Sequence, residues 1–219
     1  MKAAAGLLLI ALLMATPASA QSPASRREPV PPRMTVMLFA DAGVDILHAV
    51  DSLHAIFNRN SAGSIGGGLR VVLPKGLFAN VRASRLQMTG ERTFLFEGQS
   101  YSLGVADTLT IIPIQVSVAV RTGRLGERAV PYMGGGVGWY RASEQSAFSD
   151  ASETAERTSP GIHLMGGADV RLWKGLGLGG EVEWSHVPGG LAGTGVATSL
   201  QDTNLGGVSV RMRLLVGGW

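Results

Sequence analysis

The chain has 219 residues, a formal net charge of +3 at pH 7, no cysteine, and 45% hydrophobic residues. Without cysteine it can form no disulfide and carries out no thiol chemistry. So mild a positive charge does not indicate a nucleic-acid-binding protein, and the length is that of one domain behind a short leader.

The N-terminal segment has the pattern of a secretory signal peptide. Lys2 precedes an apolar run over residues 3–15, and the triplet Ala18-Ser19-Ala20 comes immediately before Gln21. The run is shorter than the roughly 20 residues that a membrane-spanning helix needs, whereas a basic start and an Ala-x-Ala site are typical of an exported protein. We therefore predict a signal peptide over residues 1–20, cleaved between Ala20 and Gln21.

The segment that follows, residues 21–33, contains four prolines and three arginines. It is predicted to be an extended, flexible leader to a domain over residues 34–219. Beyond the leader no stretch approaches 18 consecutive apolar residues, so no membrane-spanning helix is predicted. If the protein crosses a membrane, it must do so as a barrel, because only helices and closed barrels satisfy their backbone hydrogen bonds in lipid.

Alternation of apolar and polar residues predicts eight β-strands in this domain. Stretches rich in glycine, proline and serine separate them. In chain order, the predicted strands are Met34 to Asp41, Ile65 to Leu73, Leu77 to Ser84, Thr110 to Val120, Pro131 to Arg141, Gly161 to Trp173, Leu176 to Val187 and Leu205 to Val216.

The connections between these strands alternate in length. Two short ones, Pro74-Lys75-Gly76 and Trp173-Lys174-Gly175, resemble each other, and a third covers residues 121–128. The long ones cover residues 43–63, 89–108, 143–159 and 188–204. In the first, apolar residues recur at helical spacing from Val44 to Phe57, which predicts a short amphipathic helix; residues 89–108 are expected to extend the strands on either side.

An up-and-down barrel has all its short connections at one rim and all its long ones at the other. We therefore predict an all-β protein, an eight-stranded antiparallel up-and-down barrel. Either a soluble lipocalin-like barrel with an apolar interior or an outer-membrane barrel with an apolar exterior has this topology. Here the polar strand faces combine charges with many glycines, and small glycines make room for long charged side chains inside a narrow barrel. The pattern favours a transmembrane barrel, apolar outside and polar inside.

This orientation assigns the strand residues to two surfaces. Because a buried charge is costly unless it is paired, the interior charges are expected to form one ion-pair network of Arg70, Arg82, Asp169, Arg171, Glu181, Glu183, Arg211 and Arg213. The residues predicted to face lipid include Val116, Val118, Val137, Leu164, Val170, Leu178, Val182, Val210 and Leu214. Aromatic residues of a barrel gather at the membrane interfaces, and those predicted here are Trp139, Trp173, Trp184 and Trp219, with Tyr132 as a further candidate.

Three segments resemble the small outer-membrane β-barrel family that includes the outer-membrane protein A transmembrane domain and opacity-type proteins. They are Pro131 to Tyr140, the strand Gly166 to Arg171 with its Lys174-Gly175 turn, and the strand Gly180 to Trp184. The resemblance implies export to the outer membrane of a Gram-negative-type bacterium and a structural or surface role. It also implies outer-membrane lipid and the assembly machinery as partners, an unknown extracellular ligand at the long loops, and neither catalytic residues nor a cofactor.

The C-terminus departs from the pattern of that family. Outer-membrane barrels usually end on an aromatic residue that the assembly machinery reads, and Trp219 is terminal, but it falls on the same strand face as Arg211 and Arg213. Either a bulge at Gly217-Gly218 restores the register or Trp219 lies at the rim.

Two motifs invite a ligand-binding interpretation. Residues 175–180 match the glycine pattern of a dinucleotide site, but such a site needs a helix after the glycines, and a strand is predicted there. Asp45, His48, Asp51 and His54 recur every three residues and could gather around a metal ion. A solvated helix face explains them more simply, so no metal site is predicted.

Two further motifs invite a catalytic interpretation. Glu181 and Glu183 share a strand face, as a glycosidase pair could, but inside a barrel beside arginines ion pairing is the favoured explanation. Ser185 adjoins His186, and His163 lies near the same rim, but no Gly-x-Ser-x-Gly elbow is present. We therefore predict that the protein is not an enzyme.

Three functions remain open from the sequence. The first is an integral outer-membrane protein with a structural or surface-recognition role, its long loops outside the cell. The second is a narrow pore for small solutes. The third is a secreted or periplasmic lipocalin-like barrel that binds an apolar ligand.

Overall fold

The computed structural model describes residues 34–49, 53, 57–96, 99–123, 129–146, 155–189 and 204–218. In these residues eight antiparallel strands close into a barrel in chain order. The strands are β1 (Thr35–Leu47), β2 (Ser61–Val72), β3 (Leu77–Phe96), β4 (Gln99–Arg121), β5 (Ala129–Ser146), β6 (Ala155–Trp173), β7 (Leu176–His186) and β8 (Gly207–Gly217). β8 pairs with β1 and completes the ring, which confirms the predicted up-and-down barrel.

The first strand is longer than predicted, and part of the predicted helix is wrong. Val44 to Leu47 continue β1, because they pair with β2 on one side and with β8 on the other. The amide of Leu53 donates to the carbonyl of Ala49 at 3.1 Å, which is an α-helical bond. Leu53 and Phe57 are helical, and the other residues between Val50 and Ile56 lie outside the described part of the chain.

The strands at the long-loop end reach beyond their predicted limits. β3 and β4 stay paired up to Phe96 opposite Gln99, with one register shift between Glu91 and Thr93. This confirms that residues 89–108 extend their flanking strands. β5 and β6 pair up to Glu144 opposite Ala155, so part of the predicted loop 143–159 is strand. Pairing satisfies the backbone hydrogen bonds of these extensions, which sequence alternation alone does not reveal.

Several predictions fall outside the described residues. They are the signal peptide with its cleavage site at Ala20 and Gln21, the leader 21–33, most of the loop 188–204, and Trp219. In the described part of the chain no helix is both long enough and apolar enough to cross a membrane.

Burial alternates along most of each strand in the part for which side-chain burial is described. In β7, for example, Glu181, Glu183 and Ser185 are buried, whereas Val182 and Trp184 between them are exposed. The same alternation leaves all nine residues assigned to lipid on the exterior: Val116, Val118, Val137, Leu164, Val170, Leu178, Val182, Val210 and Leu214. The barrel wall thus has an apolar outside and a largely polar inside.

The aromatic residues divide between the two surfaces. Trp139, Trp173 and Trp184 lie on the exterior, and Trp173 is the most exposed at 68%. Tyr132 is 3% exposed and faces the interior, so its prediction as an interfacial residue is wrong. Tyr132 lies on the same face of its strand as Gly134 and Gly136. The alternation of residues along the strand already predicted that this face points inward.

Candidate functional site

The centre of the barrel interior is a chain of charged side chains joined by hydrogen bonds. Arg82 donates from Nε and Nη2 to the two carboxylate oxygens of Asp41, each at 2.9 Å, and from Nη1 to Gln115 at 3.1 Å. Gln115 donates in turn to the hydroxyl of Tyr140 at 2.9 Å and to Glu183 at 2.8 Å. Such a two-pronged arginine–carboxylate contact fixes both side chains in one geometry.

A second set of contacts adjoins the first. Arg213 donates to Glu181 at 2.8 Å and to the hydroxyl of Tyr132 at 3.2 Å, and that hydroxyl donates to Glu181 at 2.9 Å. Arg211 lies 3.0 Å from Asp45 and 3.2 Å from Glu183. Glu183 also lies 3.8 Å from Arg82, and Arg213 lies 3.9 Å from Asp41. The two sets therefore form one network.

The third set lies toward the short turns. Arg70 pairs with Asp169 and donates to the side-chain oxygen of Asn80 at 3.0 Å. Its guanidinium carbon is 4.2 Å from the centre of the Phe78 ring, and that of Arg213 is 4.4 Å from the Phe39 ring. Aromatic faces stabilise guanidinium groups held over them, so these arginines are supported by rings as well as by carboxylates.

Seven of the eight charges assigned to the interior lie together in this network: Arg70, Arg82, Asp169, Glu181, Glu183, Arg211 and Arg213. The assignment of Arg171 is wrong, because this residue is exposed and has no ion pair among the described residues. The pairing register of β6 and β7 shifts between Arg171 and Trp173. Arg171 itself still pairs with Gly177 in the register of the rest of the strand, so it keeps the inward position in the alternation. It is exposed at the end of β6, beside the turn.

Sequence reasoning missed six members of the network: Asp41, Asp45, Asn80, Gln115, Tyr132 and Tyr140. Asp45 was assigned to a helix instead of a strand. The other five lie on the face of their strand that alternation places inside the barrel. Four of them are uncharged, and the prediction counted only charged residues as members of the network; Asp41 is charged and was not included.

Apolar side chains cover the network at both ends of the interior. Toward the short turns lie Met37, Phe39 and Leu215, with Phe78, Ala119, Tyr132 and Met165 beside them. At the long-loop end a larger buried cluster includes Leu53, Phe57, Leu86, Met88, Ile111 and Leu205. Between this cluster and the network is a cavity of about 30 Å³, lined by Asp45, Ser64, Tyr140, Glu183 and Arg211 among others. The cavity holds only a water molecule or two, so side chains occupy most of this interior.

Inward-facing glycines make this packing possible. A β-carbon on Gly167 would lie 2.7 Å from the hydroxyl of Tyr132, and one on Gly179 would lie 2.5 Å from a carboxylate oxygen of Asp169. Neither distance allows ordinary van der Waals contact. The Tyr132 ring and the Asp169 carboxylate therefore occupy the space that side chains at these two positions would need.

The motifs that suggested other chemistry have ordinary structural roles. Residues 176–180 begin strand β7, so the glycine pattern has no helix to receive a phosphate. Glu181 and Glu183 bind arginines, as described. Ser117 and His163 are hydrogen-bonded at 2.8 Å but both are buried, and His186 stacks on Trp184. Within the described ranges, no three possible metal ligands come together.

Comparison with known proteins identifies the fold. No protein-family model and no curated protein matches the chain. Among solved structures, a major outer membrane protein from Thermus thermophilus is similar with a TM-score of 0.52 and 13% identity, covering 84% of this chain and 99% of that one.

Two further structures align over similar lengths. The N-terminal β-barrel domain of Pseudomonas aeruginosa OprF has a TM-score of 0.49 and 10% identity, covering 85% of this chain and 98% of that one. Neisserial surface protein A (NspA) has a TM-score of 0.48 and 12% identity, with coverage of 84% and 96%. At 13% identity, the similarity to the Thermus thermophilus protein shows a shared fold.

Proposed function

We propose that the protein is an integral outer-membrane barrel with a closed interior, and that its long-loop end is a recognition surface outside the cell. One observation carries the proposal: the exterior is apolar, while the interior is charged and mostly filled by side chains. A soluble barrel would bury the valines and leucines and leave the arginines and glutamates in water. In a membrane the exterior faces lipid, so apolar residues are favoured on the outside of the barrel and charged residues on the inside.

The long-loop end is the favoured recognition surface because the strands continue there as hairpins. The β3–β4 hairpin pairs as far as Phe96 and Gln99, well past Leu86, the last residue of β3 that pairs with β2. Arg141 and Glu156, on the next pair of strands, form an exposed ion pair at 2.6 Å. Exposed loops and hairpins held by a rigid barrel are where binding residues concentrate.

The two alternative functions receive less support. A narrow pore needs a continuous channel, whereas side chains fill the interior and apolar clusters cover both ends of the charged network. A lipocalin-like barrel needs an apolar internal cavity, and the one cavity described above is small and lined partly by charged groups.

Labelling of intact cells tests the proposed topology. The chain has no native cysteine, so S102C on the β3–β4 hairpin and K75C on a short turn each introduce a single thiol. In a Gram-negative host, a membrane-impermeant maleimide should label S102C in intact cells and K75C only after lysis. Labelling of K75C alone in intact cells would reverse the topology, and recovery of both variants as soluble periplasmic protein would overturn the membrane location.

A further inference from the structure

The short-turn end of the barrel carries only positive charge in its described part. This rim, defined here as residues 34–36, 72–77, 120–123, 129–131, 171–176 and 216–218, contains Lys75, Arg121, Arg171 and Lys174 and no carboxylate. Lys75, Arg171 and Lys174 are exposed. The long-loop end also carries arginines, but there the exposed Arg141 pairs with the exposed Glu156. The short-turn rim is different because, among its described residues, no carboxylate offsets the positive charge.

One of these cations is held in an unfavourable backbone conformation. Lys75 has φ of +64° and the next residue, Gly76, has φ of +80°. Glycine or asparagine suits a left-handed position better than lysine does. A side chain kept in place against its backbone preference indicates a role for that side chain, here the ammonium group at the rim.

An apolar groove on the exterior begins beside Lys75. It has a volume of about 530 Å³ and is lined by Leu77, Val118, Val120, Met133 and Leu164, among others. Leu77 follows the Pro74–Gly76 turn directly, so Lys75 lies at one flank of the strands that form the groove. At their other flank β6 ends at the exposed Trp173, next to Arg171 and Lys174.

We propose that this rim binds the anionic head groups of phospholipids in the leaflet that the short turns reach. The inference rests on the proposed membrane location and adds the lipid class. Lysine and arginine near a membrane surface attract anionic lipids, and tryptophan anchors a protein at the interface. We assign a lipid and not a soluble anion, because the cations lie at the ends of strands that line an apolar groove, a surface that suits an acyl chain.

Lipid selectivity measured by electron paramagnetic resonance tests the proposal. The full chain is refolded into phosphatidylcholine vesicles that carry traces of spin-labelled phosphatidylglycerol or spin-labelled phosphatidylcholine. Around the wild type, the motionally restricted lipid should be enriched in phosphatidylglycerol by roughly two- to fivefold at low salt. About 1 M salt should remove most of this preference, because it shortens the screening length to about 3 Å.

Matched variants locate the effect. K75Q/R171Q/K174Q should lose the preference, whereas R59Q/R85Q/R141Q, which removes three positive charges from the long-loop end, should keep it. Equal preference in the wild type and the rim variant would overturn the proposal, as would an equal loss in both variants. Absence of any restricted lipid around the wild type would instead contradict the membrane location itself, so the two failures are distinguishable.

Discussion

At the residue scale, the stability of the protein depends on how its buried charges are paired. Arginines and carboxylates inside this barrel have little access to water, so each relies on its neighbours for compensation. Replacing one partner of such a pair leaves the other charge buried and uncompensated, which typically costs about 3 to 5 kcal/mol.

We expect D41N to lower the free energy of unfolding by about 3 to 5 kcal/mol, because Arg82 would lose a two-pronged partner. The double variant D41L/R82M should recover much of this loss, since it removes both charges. R141Q breaks an exposed pair of the same chemistry and should cost at most about 1 kcal/mol. Denaturant unfolding in detergent micelles measures all three. A loss of stability as small for D41N as for R141Q would show that the interior is hydrated.

Glycines on the inner face determine what fits inside the barrel. G167A should lower the free energy of unfolding by about 1 to 3 kcal/mol, because the added methyl group would clash with the carbonyl oxygen of Gly180 and lie 2.7 Å from the Tyr132 hydroxyl. G180A is the matched control on the adjacent strand, since a β-carbon there has nothing within 4 Å. Its effect should stay within about 0.5 kcal/mol. Equal effects of the two substitutions on the thermal midpoint would contradict the close packing of the inner face around Gly167.

At the scale of the elements, the alternation of inward and outward residues along each strand carries most of the structural information in the sequence. It places Val182 outside and Glu183 inside, and it does so for seven of the eight assigned interior charges. It does not predict how far the packed interior extends, as at Arg171, which keeps the inward position in the alternation but is exposed at the end of β6. It also fails at Asp45, because the apolar residues around it recur at helical spacing although the segment is a strand that pairs with β2 and β8.

Contacts between residues that are far apart in the sequence determine the features that this alternation does not predict. The sequence indicates that Arg70 and Asp169 share a surface, but only the closed ring brings β2 and β6 close enough for the two to pair. The layered interior, with apolar clusters on either side of the charges, likewise depends on barrel closure. Loop length did predict the continuation of β3 and β4, but not the extent of β5 and β6.

The β3–β4 hairpin beyond the barrel should be dispensable for folding. We expect replacement of residues 91–106 by an Asn-Gly turn to change the free energy of unfolding by less than about 1 kcal/mol, because that turn closes a two-residue hairpin well. Gly90 and Asp107 are already paired at that level. Heat-modifiable gel mobility reports the folded fraction. Failure of the shortened chain to fold would assign the hairpin a structural role instead of recognition.

At the scale of the whole molecule, side chains fill most of the barrel interior in its described part, so the barrel is not an open channel there. The charged network spans the middle of the interior, and apolar clusters cover it at both ends. We therefore expect the refolded protein to produce no stepwise conductance in planar bilayers. A regular single-channel conductance that disappears in an Arg82 or Glu183 variant would restore the pore as the function.

The central claim is that the apolar face of the barrel meets lipid, and Val182 tests it most directly. Val182 is 50% exposed, between the buried Glu181 and Glu183. In phospholipid vesicles, V182R should lower the free energy of unfolding by about 2 to 4 kcal/mol, the cost of an arginine at mid-bilayer, whereas V182L should be neutral. A change within about 0.5 kcal/mol for V182R, the usual effect of a substitution on a water-exposed surface, would contradict the account.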